Sequence, residues 1–486
     1  MRPAPELRGA FLAHGAAQEN LQRLFAGALC VTTGQQPGLL TGPLYGVHKA
    51  LSAVALARAA SAHWGRDVVP VFWVAGDDHD FAEGNHTYVL SGANDAQRIA
   101  LRERDPGAPL TPLYREPVGA EIAGVLDAVR AALPETEFRA GVLEWLERHY
   151  RPEADLAEAY AEAMAELLGP HGLVVFRPTH AAAKQAMAPW LIRLLDQAAP
   201  LGGALAATAG WLERDGRPVP VAVDEAATLV MLEDTLGRDR LLRDGAGFVT
   251  RRGGGRFGRA DLERIAHEEP RRLSPNVLAR PVIEAAILPT VAYVAGPGEL
   301  AYLPQAAPVY QTLGVVAQAA VPRWSGFVVE GRVRKVLEKY RITPEALNGP
   351  AGQLEASLAA EELPPAVREA LAALRAAVDG HYPRLAEAAA AVDPTLRKPI
   401  DSTKNATLAG LANVEKRIIA HLKNQNEILR QQIDKARANL FPLGQPQERI
   451  VNVASYLARY GPDFLGAVLE ACARRDAALE TISTGA

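Results

Sequence analysis

Cysteine is scarce in this chain: Cys30 and Cys472 are the only two in 486 residues. They lie far apart, so neither a disulfide framework nor a zinc knuckle is available, and the compartment expected from such usage is reducing, hence cytosolic. No uninterrupted apolar segment reaches membrane length, and Met1-Arg2-Pro3-Ala4-Pro5-Glu6 opens no secretory leader, so no membrane partner is expected. An excess of one charge is also missing. Lys and Arg number 52 against 56 Asp and Glu, a formal charge of −4, which gives no basic field for a nucleic acid backbone. The glycine-rich loop at Gly34–Gly42 is neither a Walker A nor a G-x-G-x-x-G sequence, so no named nucleotide motif can be claimed for it, and no G-x-S-x-G serine-hydrolase elbow is present.

What is present is a long globular composition, 49% hydrophobic and 22% charged, of a size that calls for two to four domains. The stretch from Leu29 to Ala60 organises it. Leu29-Cys30-Val31-Thr32-Thr33 reads as a buried strand, Gly34-Gln35-Gln36-Pro37-Gly38 as a turn, and Thr41-Gly42-Pro43-Leu44-Tyr45-Gly46-Val47-His48-Lys49 as the entry to an Ala-rich helix. Gly34, Gly38 and Gly42 let backbone N–H groups approach a ligand, and a helix start attracts negative charge, so the loop suits a phosphate or carboxylate. An ordinary glycine-rich connection is the plainer alternative.

Val68 to Ala75 is a second continuous apolar run, completing a βαβ unit whose ligands bind beyond the carboxyl ends of the strands. It ends in Gly76-Asp77-Asp78-His79-Asp80-Phe81-Ala82-Glu83-Gly84-Asn85-His86. Leu173–Phe176, Thr290–Ala295 and Val315–Val321 read as further parallel strands, the fourth followed by Gly296-Pro297-Gly298-Glu299 and a helix carrying Tyr302 and Gln305. The fold class expected is α/β, a Rossmann-like doubly wound sheet. The boundaries are a core first half at 1–86, an inserted subdomain at 87–165, a core strand and helix at 166–209, and a β-rich insertion at 210–272 with strands at Pro218–Val223 and Thr228–Leu232. Core second half at 273–332, a helical coiled coil at 333–440 and closing helices at 441–486 complete the chain. Arg251-Arg252-Gly253-Gly254-Gly255-Arg256 reads as a solvated loop more readily than as a phosphate clamp. In the coil, Ile419, Asn426, Ile433 and Leu440 form one seam position and Leu422, Leu429 and Ala436 the other, and such an Asn fixes register. A homodimer is expected there, against a helical hairpin within one chain.

The Asp77–Asp80 cluster with Glu83 and His86 could hold a metal ion, but neighbours in an extended turn diverge, and hydrogen bonding to ligand is the favoured role. His79 has a near-neutral pKa suited to general base work. Glu299 faces either a substrate amine or its own helix start. Gln35, Gln36, Tyr45 and His48 could each bond a ligand, with His48 the first to test.

Taken together, Thr33–Gly38, Thr41–Tyr45 with His48-Lys49, Phe72–Phe81, Ser274-Pro275-Asn276-Val277 with Arg280-Pro281, Pro289–Val294 with Gly296–Glu299, Val321-Pro322-Arg323, Gln447-Glu448-Arg449 and Tyr460-Gly461 resemble the bacillithiol biosynthesis cysteine-adding family, BshC. The resemblance runs from the first strand to the tail. It implies a core related to class I nucleotidyl transferases, two connecting-peptide insertions and a dimerising coiled coil. It also implies an amide-forming ligase joining L-cysteine to the amine of glucosaminyl-malate, with ATP as the expected co-substrate and room for Mg2+ beside it. Tyr45-Gly46-Val47-His48 keeps only the last histidine of the class I signature, and Asp401-Ser402-Thr403-Lys404 is a faint echo of its lysine motif. The site expected on this basis has His48, Asp78 and His79 as catalytic residues. Gly34, Gln35, Gln36, Gly42, Tyr45, Asp77, Asp80, Asn85, Gly296, Gly298, Glu299, Tyr302, Gln305 and Arg323 would bind substrate or nucleotide, with no resident metal. The alternatives are a metal-dependent hydrolase using Asp77–Asp80 and a non-catalytic coiled-coil scaffold.

Overall fold

The apolar runs of the first third pair with one another as the sequence pattern demands. The computed structural model describes residues 2–92, 95–361, 363–425 and 427–483. It separates into two units, Met1–Gly326 with Glu448–Ala486, and Phe327–Gln447. In chain order the strands are β1 (Phe11–Leu12), β2 (Leu29–Gln35), β3 (Val68–Val74), β4 (His86–Leu90), β5 (Ala96–Ala100), β6 (Val174–Phe176), β7 (Ala227–Asp234), β8 (Gly237–Asp244), β9 (Gly247–Thr250), β10 (Arg256–Phe257), β11 (Leu273–Pro275), β12 (Thr290–Ala295) and β13 (Ala319–Pro322).

Six of them form the main sheet in the order β1-β6-β3-β2-β12-β13. All pairs are parallel except β1 with β6. Numbered along the chain, the five parallel strands run 3-2-1-4-5, so the winding reverses between β2 and β12 and a cleft opens at their carboxyl ends. Side chains alternate between the two faces. Cys30, Val69, Val71 and Trp73 pack with Met187, Leu191, Val282 and Ile283 on one side, while Val31, Val68, Ala292 and Val294 meet Ala53 and Ala57 on the other. The Tyr45–Trp64 helix that supplies Ala53 and Ala57 is buried along most of its length, because the Asp463–Ser483 helix covers its outer side, with Ser52 Oγ 3.6 Å from Cys472 Sγ. Small side chains permit that double burial. Both cysteines are buried, and neither forms a disulfide.

Between β3 and β6 the chain makes the β4–β5 hairpin and the Ile122–Ala132 and Arg139–His149 helices, then returns through Leu156–Leu168 to lie beside β6. A second excursion builds an antiparallel sheet, β10-β9-β8-β7-β11. Two expected strands need correction. Pro218–Val223 lies outside every strand: Pro218 and Pro220 have no N–H to donate, and the N–H and C=O of Val221 are both taken by the Gln305 side chain, at 3.1 and 2.8 Å. The strand placed at Val315–Val321 is confined to β13.

The second unit contains the helices Gly331–Tyr340, Gln353–Glu361, Pro365–Val392, Arg397–Gln425 and Glu427–Leu440. Pro365–Val392 and Arg397–Gln425 pair as a hairpin, tied by Lys404 Nζ to Asp379 at 2.8 Å and Tyr382 to Thr407 at 3.0 Å. Of the seam residues, Leu429, Ile433, Ala436 and Leu440 pack on Val333, Leu337, Leu347 and Leu358 of the same chain. Ile419 and Leu422 are half-buried. Asn426, expected to fix register, lies outside the described residues. Asp401–Lys404 falls inside the Arg397–Gln425 helix. Among the described residues no helix is long and apolar enough to cross a membrane.

Candidate active site

The winding reversal leaves a cavity of about 900 Å³ over the carboxyl ends of β2, β3 and β12, roofed in part by β7 and β8. A second cavity of about 220 Å³ adjoins it, sharing Gln35, Gln36, Tyr45 and Arg449.

At the centre is a partly buried ion pair between Lys49 Nζ and Glu299 Oε2, 2.7 Å apart. Lys49 sits on the first turns of the helix after the glycine loop, one turn beyond Tyr45, so both face the cavity. Its ammonium also donates to the carbonyl of Gly34 and, at 3.3 Å, to Gln35 Oε1. Glu299 accepts from the Tyr293 hydroxyl at 2.5 Å and from Gly296 N–H at 2.7 Å, closing the turn that starts its helix. Burial alone would raise the Glu299 pKa, but Lys49, Tyr293 and Gly296 outweigh it and hold the carboxyl below its ordinary value. Burial lowers the Lys49 pKa, with Glu299 opposing. Lys49 is withdrawn from water, while Glu299 keeps 20% of its side chain exposed toward the cavity.

Arg280 lines the same wall, 4.9 Å over the Tyr293 ring, with Nη1 2.8 Å from Glu284. Its Nη2 is buried without a hydrogen-bond partner among the described residues. Gly34 is needed where it stands, since a Cβ there would meet the Trp73 carbonyl at 2.8 Å. Nothing lies within 4 Å of the Cβ position of Gly298, which leaves that backbone open. Tyr45 takes a hydrogen bond from Gln35 at 2.9 Å, and burial pushes its pKa up to about 12. Tyr302 also lines the wall, its pKa raised by burial.

The acidic cluster after β3 does not converge. Asp77 is 2.5 Å from the buried Lys184 ammonium. Asp78 accepts the N–H groups of His79 at 2.7 Å and Asp80 at 3.2 Å, and Asp80 caps the next helix through Glu83 N–H. Asp77, Asp78 and His79 line the cavity; Asp80 does not. Among the described residues no three His, Cys, Asp or Glu side chains gather as a metal site. His79 has its pKa lowered, first by burial and then by Arg238, whose Nη1 is 3.4 Å from Nδ1.

Several expected site residues are held by contacts elsewhere in the fold, some of them while still lining a cavity. His48 is fully buried and does not reach either cavity: a helix position next to Lys49 points elsewhere, and its Nδ1 lies 2.9 Å from Glu448 Oε2 with the ring edge against Trp324. Asn85 donates to the Arg102 carbonyl, and Gln305 holds Val221. Gln36 donates to the Asp80 carbonyl at 2.9 Å while its chain lines both cavities. Gly42, at φ +66°, shapes the smaller cavity, and Asn452 Nδ2 bonds its carbonyl at 2.9 Å. Arg323 lines the main cavity while gripping Glu448 through two bonds of 2.8 and 2.5 Å. Lys49, Tyr293, Arg280, Lys184 and Glu448 were not singled out from sequence. Lys49, Tyr293, Arg280 and Glu448 lie inside the family-like segments quoted above, which is the one signal that could have found them.

A 3-2-1-4-5 parallel sheet with a charged, partly buried pair at its switch point defines a Rossmann-type α/β protein with a small-molecule site at the strand ends. The chain belongs to the BshC family of bacillithiol biosynthesis. Residues 7–324 match the family's N-terminal Rossmann-like domain and residues 326–482 its C-terminal coiled-coil domain. Proteins named "Putative cysteine ligase BshC" are similar over most of their length. The one from Koribacter versatilis is 32% identical, covering 94% of this chain and 85% of its own. Those of Salinibacter ruber, at 33% over 90% and 80%, and Heliobacterium modesticaldum, at 31% over 97% and 86%, agree.

Proposed function

We propose that this protein is an amide-forming ligase that joins the carboxyl group of L-cysteine to the amine of glucosaminyl-malate, with ATP as co-substrate. The observation that carries the reading is the Lys49–Glu299–Tyr293 group at the switch point of a cavity large enough for more than one small molecule. A carboxylate does not acylate an amine unaided, and ATP, with Mg2+ beside its phosphates, would supply the leaving group for the carboxyl oxygen. The residues present fit such a co-substrate: Arg280, the exposed Arg449 and the open backbone at Gly298 all border the cavity. Glu299, its pKa held below the ordinary carboxylate value, offers an acceptor to an ammonium or to an amine proton, and Lys49 balances its charge in a partly buried site. Arg280 offers a fork to a carboxylate. Incubating the purified protein with L-cysteine, glucosaminyl-malate and ATP should yield bacillithiol by mass spectrometry; ATP-independent formation would remove the nucleotide, and no product would remove the reading.

The same reading includes a homodimer formed along the Pro365–Val392 and Arg397–Gln425 hairpin. Its support is the exposure of Leu374, Leu385 and Val414 there. Light scattering should return twice the 51.9 kDa chain mass, and a monomer mass would refute the pairing.

A further inference from the structure

Three arginines of the second inserted sheet border the main cavity without counter-charges. Arg240 lies on β8, and Arg251 and Arg252 follow β9. All three are exposed, and among the described residues none has a carboxylate within ion-pair distance. Other arginines of the same sheet are occupied: Arg238 donates to Ser274 and the Pro275 carbonyl, Arg243 to the Glu225 carbonyl and Arg256 to Asp244. Arg238 lines the cavity too, but its guanidinium is committed to Ser274 and Pro275, whereas those of Arg240, Arg251 and Arg252 are not.

The segment that carries them is held from beneath by one buried carboxylate. Asp239, 3% exposed, accepts Arg240 N–H at 2.8 Å through Oδ1, and Arg252 N–H at 2.6 Å and Gly253 N–H at 3.0 Å through Oδ2. Arg251 N–H donates to the Arg240 carbonyl at 2.9 Å, and Thr250 Oγ1 takes Gly255 N–H at 2.9 Å. Gly254, at φ +66°, makes the turn possible. Asp239 therefore spends its acceptors on backbone, and the guanidinium groups it positions stay free. Three cationic side chains carried by one held backbone segment beside a cavity favour an anion there.

We propose that Arg240, Arg251 and Arg252 form the recognition site for a dicarboxylate group on the amine substrate, the malyl end of glucosaminyl-malate. This rests on the ligase reading above. Phosphates in such folds settle against glycine loops and helix starts, which here occupy the β2 and β12 side. The inserted sheet contributes a different wall, and planar guanidinium forks match carboxylates in pairs. The substrate would then lie with its amine toward Glu299 and its anionic end on the rim.

The test is the variant R240Q/R251Q/R252Q, with its fold checked by circular dichroism, beside R240K/R251K/R252K. Loss of charge-assisted bonds predicts a KM for glucosaminyl-malate raised about ten-fold or more by the glutamine variant, with partial recovery in the lysine one and unchanged KM for cysteine and ATP. A rise in the ATP KM instead, or no rise in a folded variant, overturns the assignment. Calorimetric titration with free L-malate separates this from the ligase reading. If no ligation occurs at all, malate bound by the wild type and lost in the glutamine variant still supports the rim, and equal binding, or none to either protein, refutes it.

Discussion

Glu299→Gln should lower turnover about a hundred-fold or more and reduce stability by about 3 kcal/mol at neutral pH. Both effects come from the same atom pair. Lys49 is 2% exposed and would keep the Gly34 carbonyl and Gln35 Oε1 as acceptors, but not its counter-charge 2.7 Å away. A buried cation without an anion is costly, and the Lys49 pKa, already lowered by burial, would fall further because Glu299 is what opposes that burial. Glutamine retains the shape: with its single oxygen toward Gly296 N–H and Lys49, its NH2 faces the Tyr293 hydroxyl, which must then turn to accept, so the loss is that of the charge and of one accepted bond. Adding Lys49→Met should restore part of the stability, since the unmatched cation disappears with it. Thermal and denaturant melts of the two single variants and the double variant form a cycle, and additive losses would show that the pair is not coupled.

Glu448→Gln should cost about 3 kcal/mol, read from denaturant unfolding at neutral pH. Glu448 is 4% exposed and accepts two bonds from Arg323, one from Ser325 at 2.8 Å and lies 2.9 Å from His48 Nδ1. Burial would raise its pKa, yet His48 and Arg323 hold it down to about 2 from an ordinary 4.5. A depressed carboxylate stabilises the fold fully above about pH 4.5 and loses that contribution as pH falls toward 2. His48 works in the same direction at higher pH. Burial lowers its pKa below 6.5, so unfolding takes up a proton there and stability declines as pH drops from 6.5 toward its folded value. The wild type should therefore weaken in two acid stages, with neutral pH favoured. A Glu448→Gln protein as stable as the wild type at pH 7 would contradict this anchoring of Arg323.

The strand–glycine–helix stretch, the second strand and the Gly296–Glu299 turn were legible because each is local: an apolar run, a residue without Cβ, a helix start. Their meeting at one sheet edge followed from the rule for parallel sheets. What escaped was phase and distance. Choosing between His48 and Lys49 requires knowing which side of a nearly all-buried helix faces the cleft, and alanine-rich sequence carries no polar stripe to say so. Glu448 reaches His48 across 400 residues, and Asp77 finds Lys184 across 107. No spacing rule covers such pairs. The Asp77–Asp80 run looked like one cluster because it is contiguous, whereas a turn sends its members to an ammonium, to two backbone N–H groups and to a helix cap. In the Arg251–Arg256 run, charge density suggested solvent exposure; exposure was right, but its orientation toward the cavity depends on Asp239, 12 residues before Arg251 and on another strand.

The account stands most directly on the turnover of the Lys49→Met/Glu299→Gln double variant, measured as bacillithiol formed from L-cysteine, glucosaminyl-malate and ATP beside the wild type. A chemical role for the pair predicts a folded protein, recovered in stability relative to Glu299→Gln, that still forms product about a hundred-fold or more slowly than the wild type. A folded double variant with the wild-type rate would reduce the Lys49–Glu299 pair to scaffolding and contradict the site.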